Sequence, residues 1–166
     1  MTDFTTDLVN RYCQKGILID TNILLLWLVG STNKARITQF NRTQNFEPRD
    51  YELLVYIFKK FPSILTTPNI LTEVSNLINQ LGEPDRSRCF SIFARDIVQL
   101  DEIYTDSHTI AATDKFQKFG LTDCGIVNMA KDNYLVLTDD LKLASYLQNI
   151  GIDTLNFNNI RVYGWK

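Results

Sequence analysis

The sequence predicts a three-layer α/β/α fold with a mostly parallel central sheet. Three observations carry that expectation. Short apolar runs at 17–19, 63–66, 134–137 and 154–157 are too brief for helices, and glycine, proline or Thr-Asp pairs bound most of them. Such runs suit strands buried on both faces, as in a parallel sheet. Between them lie longer stretches whose apolar residues recur at helical spacing. Strand and helix signals alternate along the chain, which is the pattern of an open α/β fold.

The elements follow in order. Residues 5–14 carry a weak signal for a short helix. Ile17, Leu18 and Ile19 form the first strand, closed by Asp20, and Thr21 and Asn22 are N-cap types before the apolar run 22–29. That helix is apolar nearly all round and is expected to be buried. Residues 30–49 change character: Lys34, Arg36, Arg42 and Arg49 stand against Glu47 alone, with Phe40 and Phe46 between them. Pro48 opens a helix to about Phe61, with Tyr51, Leu54, Val55 and Phe58 on one stripe, and Pro62 ends it.

After the strand at 63–66, Thr67-Pro68 supplies the N-cap and first position of a helix over 69–81. Ile70, Val74, Leu77, Ile78 and Leu81 form its apolar stripe, and Glu73 lies about 60° from Ile70 at the stripe's border. Glu83-Pro84-Asp85 opens a further helix to about Leu100. Asp106-Ser107 caps one over 109–119 that Gly120 ends. Thr122 caps a short helix over 123–131, with Asp123 in its first turn. The strand 134–137 ends in Thr138-Asp139-Asp140, a helix over 141–149 stops at Gly151, and 154–157 is the last strand. With 166 residues and no linker, repeat or low-complexity tract, the chain reads as one domain over 1–166.

A net charge of −2 and a pI near 5.4 exclude global attraction to nucleic acid or anionic membrane, leaving local patches only. The longest apolar run, 23–29, is far short of the ~20 residues of a membrane span. The acidic start of the chain lacks the basic n-region of a signal peptide. Cys13, Cys89 and Cys124 are widely spaced without a C-x-x-C pair, and read as reduced thiols of a cytoplasmic protein.

Four acids occupy equivalent contexts: Asp20 after the first strand, Glu73 early in its helix, Asp123 in a first turn, and Asp139-Asp140 after the strand 134–137. If the strands at 17–19 and 134–137 are neighbours, all converge on the carboxyl edge of the sheet, where open α/β folds bind ligands. Carboxylates sharing a pocket repel one another unless a cation offsets them. An all-oxygen set without His or Cys suits Mg²⁺ or Mn²⁺, and the chemistry such a site offers is phosphodiester hydrolysis.

These residues also carry a family resemblance. ILIDTNIL (17–24), TPNILTEVSNL (67–77), LTDCGIVNMA (121–130) and LVLTDD (135–140) together resemble the motifs of PIN-domain ribonucleases, in the family's order. The similarity is greatest to the small toxins of toxin–antitoxin pairs. It implies that Asp20, Glu73, Asp123 and Asp140 form a catalytic, metal-holding quartet. It also implies that Asn22 and Thr138, with Asp139 ranked below Asp140, support it. The implied activity is Mg²⁺- or Mn²⁺-dependent endoribonuclease action on RNA, with an antitoxin-like inhibitor protein and a homodimer as implied partners. Two departures stand out: Cys124-Gly125 follows the third acid where the family often has a small residue such as Ala, and the segment 30–49 is longer than in the compact toxins.

Each acid also has a plain structural reading, as a turn acid, a solvated helix residue or a first-turn acid favoured by the helix dipole. The basic segment reads equally as a solvated face or as an RNA surface in which Lys34, Arg36 and Arg42 meet phosphates and Phe40 and Phe46 stack bases. His108, the single histidine, reads as a surface or capping residue, and Cys124 as a packing residue. Tyr163 and Trp165 read as packing or interface aromatics. A different class remains open: a catalytically idle PIN-like module that binds RNA or a protein partner. A phosphotransfer domain fits worse, because a dehalogenase-like site wants an acid where Asn22 stands and a receiver wants a lysine after a late strand.

Overall fold

The computed structural model describes residues 3–131 and 134–163. Five strands form one parallel sheet: β1 (Ile17–Ile19), β2 (Ile64–Thr66), β3 (Asp101–Glu102), β4 (Leu135–Thr138) and β5 (Thr154–Asn156), in the order β3-β2-β1-β4-β5. Ile17, Leu18 and Ile19 lie opposite Leu135, Val136 and Leu137, all fully buried. Nine helices among the described residues flank the sheet, giving the three-layer α/β/α architecture.

The sheet grows in opposite directions from β1 and β4. From β1 the chain moves outward to β2 and β3; from β4 it moves the other way to β5. The β1–β4 seam is therefore a topological switch point, where the connections diverge and leave a crevice at the strands' carboxyl ends. Asp20 ends β1 and Asp139-Asp140 follow β4, so the order of strands alone brings these acids together.

Helix α1 (Asp3–Tyr12) precedes β1, and α2 (Thr21–Thr32) follows it. Helix α2 packs against β4 and against α3 (Pro48–Phe58), α4 (Pro68–Ile78) and α5 (Asp85–Ile97), which explains why it is apolar nearly all round. Gly30 permits the closest of these contacts. A Cβ there would stand 2.2 Å from the Tyr51 ring, so α3 seats its tyrosine directly on the bare α2 backbone. Helix α3 ends at Phe58, three residues before the expected Phe61.

The basic segment keeps Lys34, Arg42 and Arg49 at the surface while its large apolar side chains fold inward. After a 3-10 turn at Lys34–Arg36, Ile37, Phe40 and Phe46 enter the hydrophobic core, and the Phe46 ring meets Phe157 at 6.0 Å. Phe40 and Phe46 are 4% and 3% exposed, so neither can stack a base; that expectation is corrected. The burial of apolar surface outweighed what the interleaved charges implied. The basic residues are paired in place: Lys34 with Glu52 at 2.9 Å, Arg36 with Asp85 at 3.1 Å, Arg49 with Glu47 at 2.8 Å, and Arg42 Nε on Gln80 at 2.9 Å.

Helix α6 is a short piece (Ser107–Ala111) capped by Asp106, and α7 (Phe116–Ala130) is broken at Gly120. Gly120 has φ 74°, a left-handed conformation that suits glycine, and the helix restarts beyond it. The expected single helix over 109–119 is thus divided between α6 and the first turn of α7. Helix α8 (Leu141–Asn149) matches its expected span, and Gly151 (φ 82°) turns the chain into β5. Helix α9 (Phe157–Tyr163) follows β5 without a linker and was not anticipated. No helix among the described residues is long and apolar enough to cross a membrane. Trp165, read as a packing or interface aromatic, lies outside the described residues, as does the Tyr163 side chain.

Candidate active site

Asp20 is at the centre of the carboxyl edge. Its backbone N–H continues the β1–β4 ladder to the Leu137 carbonyl at 3.2 Å. Its side chain, rather than Thr21 or Asn22, caps α2: Oδ1 accepts from the Ile23 amide at 2.9 Å. Oδ2 accepts from the Thr138 hydroxyl and from the Asp139 amide, the latter at 3.2 Å. With the cap supplied by Asp20, the next two side chains are free to face other acids. Thr21 Oγ1 donates to Glu73 Oε2 at 2.8 Å, and Asn22 Nδ2 donates to Asp139 Oδ1 at 3.0 Å.

Glu73, one turn and a half into α4, is held from two sides. Thr21 reaches it from α2, and Thr122 Oγ1 donates to its Oε1 at 2.7 Å from α7. Both threonines have N-cap chemistry in the sequence, and that reading concealed their second use. Asp140 caps α8, its Oδ1 accepting from Lys142 and Leu143 amides at 2.7 and 3.0 Å. Its own amide donates to Thr138 Oγ1 at 3.0 Å, so Thr138 links Asp20 to Asp140.

The electrostatics tie the acids into one cluster. Burial, and then the charge of Asp139, pushes the Asp20 carboxyl up to about 7 despite three hydrogen bonds that favour its ionised form. Burial, followed by the charges of Asp140 and Glu73, pushes Asp123 up to about 6. Asp139 is also raised, chiefly by burial, while the Asn22 hydrogen bond and the Arg161 charge pull it back. The five acids are thus linked in series, Asp20 to Asp139, Asp139 to Asp140, and Asp140 and Glu73 to Asp123. Lys34, Arg36, Arg42, Phe40 and Phe46 form no part of this cluster; their partners are the local ones already described.

The end of the chain adds residues that sequence reasoning missed. Asn158 Nδ2 donates to the Asp139 carbonyl at 2.7 Å, and the charge of Arg161 on α9 favours the ionised form of the same acid. Their signal was weak because the expected strand 154–157 left no helix after it to carry them.

The donor set has the chemistry of a site for a hard divalent cation: oxygen ligands only, with repulsion among them that a cation would relieve. Among the described residues no three His, Cys, Asp or Glu side chains stand as a ready ligand set. Threonine, asparagine and helix-amide donors hold the carboxylates individually. It is the donor chemistry that fits a cation.

Compared with protein-family models, curated proteins and solved structures, the chain matches none.

Proposed function

We propose that the protein is a Mg²⁺- or Mn²⁺-dependent endoribonuclease of the PIN type. The observation that carries this reading is the placing of acids around the β1–β4 switch point, where burial and then the charge of Asp139 raise Asp20 to about 7, and burial and then the charges of Asp140 and Glu73 raise Asp123 to about 6. Acids raised in this way by burial and a specific charge partner are candidates for a functional site.

Asp20, Glu73, Asp123 and Asp140 are the residues that would hold the cation. Bound there, it supplies Lewis acidity and offsets the charge that builds on a phosphoryl oxygen during hydrolysis. The protein's own part is orientation. Thr138 and the Ile23 and Asp139 amides fix the Asp20 carboxylate, Thr21 and Thr122 fix Glu73, and the α8 amides fix Asp140. Hydrolysis then adds water oxygen to phosphorus, breaks one phosphorus–oxygen bond and returns a proton to the leaving oxygen. The three free cysteines fit a reducing, cytoplasmic setting. In the toxin form of this reading, an antitoxin-like protein covers the acidic crevice, and the nuclease pairs as a homodimer.

The experiment is cleavage of mixed single-stranded and structured RNA by inhibitor-free protein and its Asp20→Asn variant, with Mg²⁺, Mn²⁺ or EDTA. Cleavage that needs both the cation and Asp20 supports the nuclease. A second reading, a PIN-like module that binds RNA or a protein without cutting, is favoured by one observation: Glu73 and Asp140 already serve as hydrogen-bond acceptors within the fold. RNA binding without cleavage at any cation concentration would select it.

A further inference from the structure

The pairing of β4 with β5 ends at Thr138 opposite Asn156. Beyond it the chain turns through Asp139 and Asp140, and a carbonyl in an irregular turn needs a partner outside the ladder. The Asp139 carbonyl finds one on α9, where Asn158 Nδ2 donates at 2.7 Å. The Asn158 amide is itself fixed. Its backbone N–H donates to Asn156 Oδ1 at 2.9 Å, and its Oδ1 accepts from Arg161 Nη1 at 3.4 Å.

Arg161 is anchored in turn on the segment that precedes α3. Nη2 donates to the Asn45 carbonyl at 2.6 Å and pairs with Asp50 Oδ2 at 3.1 Å, with both side chains largely buried. Its guanidinium lies 5.1 Å from the centre of the Phe46 ring. Asp50 is held as well, because it accepts the Glu47 amide at 2.8 Å in the capping box of α3. A continuous polar chain thus runs from the α3 N-terminus through Arg161 and Asn158 to the turn bearing Asp139 and Asp140. Asn22 meets that turn from its other side.

We propose that Asn158 is a positioning residue of the acidic site, which fixes the 138–140 turn and with it the Asp140 carboxylate, while Arg161 fixes Asn158. Neither residue needs to touch RNA. The role resembles that of the outer partners of metal ligands, whose loss costs about 10–100-fold in metal affinity or activity. The inference rests on the cation site of the nuclease reading.

The test measures Mn²⁺ binding by titration calorimetry, and steady-state cleavage of a single-stranded RNA, for wild type, Asn158→Ala and Asn158→Asp. Asn158→Asp preserves shape and the acceptor for Arg161 but cannot donate to the Asp139 carbonyl, and thermal melts establish that it folds. Positioning predicts Mn²⁺ affinity about tenfold weaker in both variants, and kcat about tenfold lower with KM within about twofold of wild type. The sign for Asn158→Asp is decisive, because an added carboxylate acting through charge alone would tighten Mn²⁺ binding. Wild-type Mn²⁺ affinity and kcat in both variants, or tighter binding by Asn158→Asp, would overturn the proposal. Mn²⁺ binding without cleavage by the wild type would defeat the nuclease reading, while the calorimetry still decides the role of Asn158. No Mn²⁺ binding by the wild type would remove both.

Discussion

The Thr138 hydroxyl donates to the Asp20 carboxylate across the seam between the two central strands, and the same oxygen accepts from the Asp140 amide. One side chain therefore joins the acid that ends β1 to the acid that follows β4. Thr138→Val keeps the shape and removes both bonds. Loss of a donor to a buried carboxylate is expected to cost about 1–3 kcal/mol at pH 8 and to push Asp20 further up. Denaturant unfolding reads the first effect, and a shift of the pH–cleavage profile to higher pH reads the second.

Asp123 gives a pH-dependent prediction with a defined sign. Its folded pKa, about 6, lies above the 3.8 of an unperturbed carboxyl, so the native state holds the proton more tightly than the unfolded chain. Its cost to stability is absent below about pH 4, grows between 4 and 6, and is complete above 6. Asp123→Asn should stabilise the metal-free protein by about 1–2 kcal/mol at pH 8, a figure discounted for its half-buried position, and should leave stability at pH 4 unchanged. Thermal melts in EDTA at the two pH values check this; an equal gain at both would exclude a charge effect. Cleavage is expected to be lost in the same variant.

A cation that relieves repulsion among the acids should stabilise the fold. Saturating Mg²⁺ or Mn²⁺ at about 100 times Kd is expected to add about 2.7 kcal/mol, reversed by EDTA. For a chain of this size that corresponds to a rise in Tm of roughly 5–11 °C. Asp20→Asn and Glu73→Gln should reduce the rise. A wild-type Tm indifferent to divalent cations would argue against the cation site.

The inward-facing aromatics of the basic segment separate stability from RNA binding. Phe46→Ala removes a ring packed against Phe157 and is expected to cost about 3–5 kcal/mol. Phe46→Leu, which retains most of the volume, should leave RNA affinity within twofold of wild type by filter binding. A large loss of affinity in a folded Phe46→Leu protein would restore the stacking role that its burial excludes.

The strands most legible in the sequence were those whose signal was burial. Ile17–Ile19 and Leu135–Leu137 lie inside the sheet, so their side chains had to be apolar on both faces. Strand β3 escaped because Asp101 and Glu102 are exposed and carry no apolar signal, joining the edge through backbone pairing and a bond from the Ser63 hydroxyl to the Asp101 carboxylate. Helix α9 escaped because it begins at Phe157, the residue that also completes an apolar strand pattern. The nearness of Asp20 to Asp139 and Asp140 follows from β1 and β4 being neighbours, since the strand ends do the positioning, whereas Glu73 and Asp123 are carried by α4 and α7. The donors that hold those acids were harder to see. Thr21 and Thr122 look like helix caps, and only the folded backbone shows that Asp20 takes the α2 cap and turns Thr21 toward Glu73.

The break at Gly120 separates two rotational registers within α7. In an unbroken helix, each residue inserted upstream would swing Asp123 by about 100° around the axis and aim it away from the crevice. Because the helix restarts after Gly120, the direction in which Asp123 faces is counted from that glycine and not from the register of residues 116–119. The three positions from 121 to 123 set that direction. The count of residues between a single glycine and its acid is therefore part of the site.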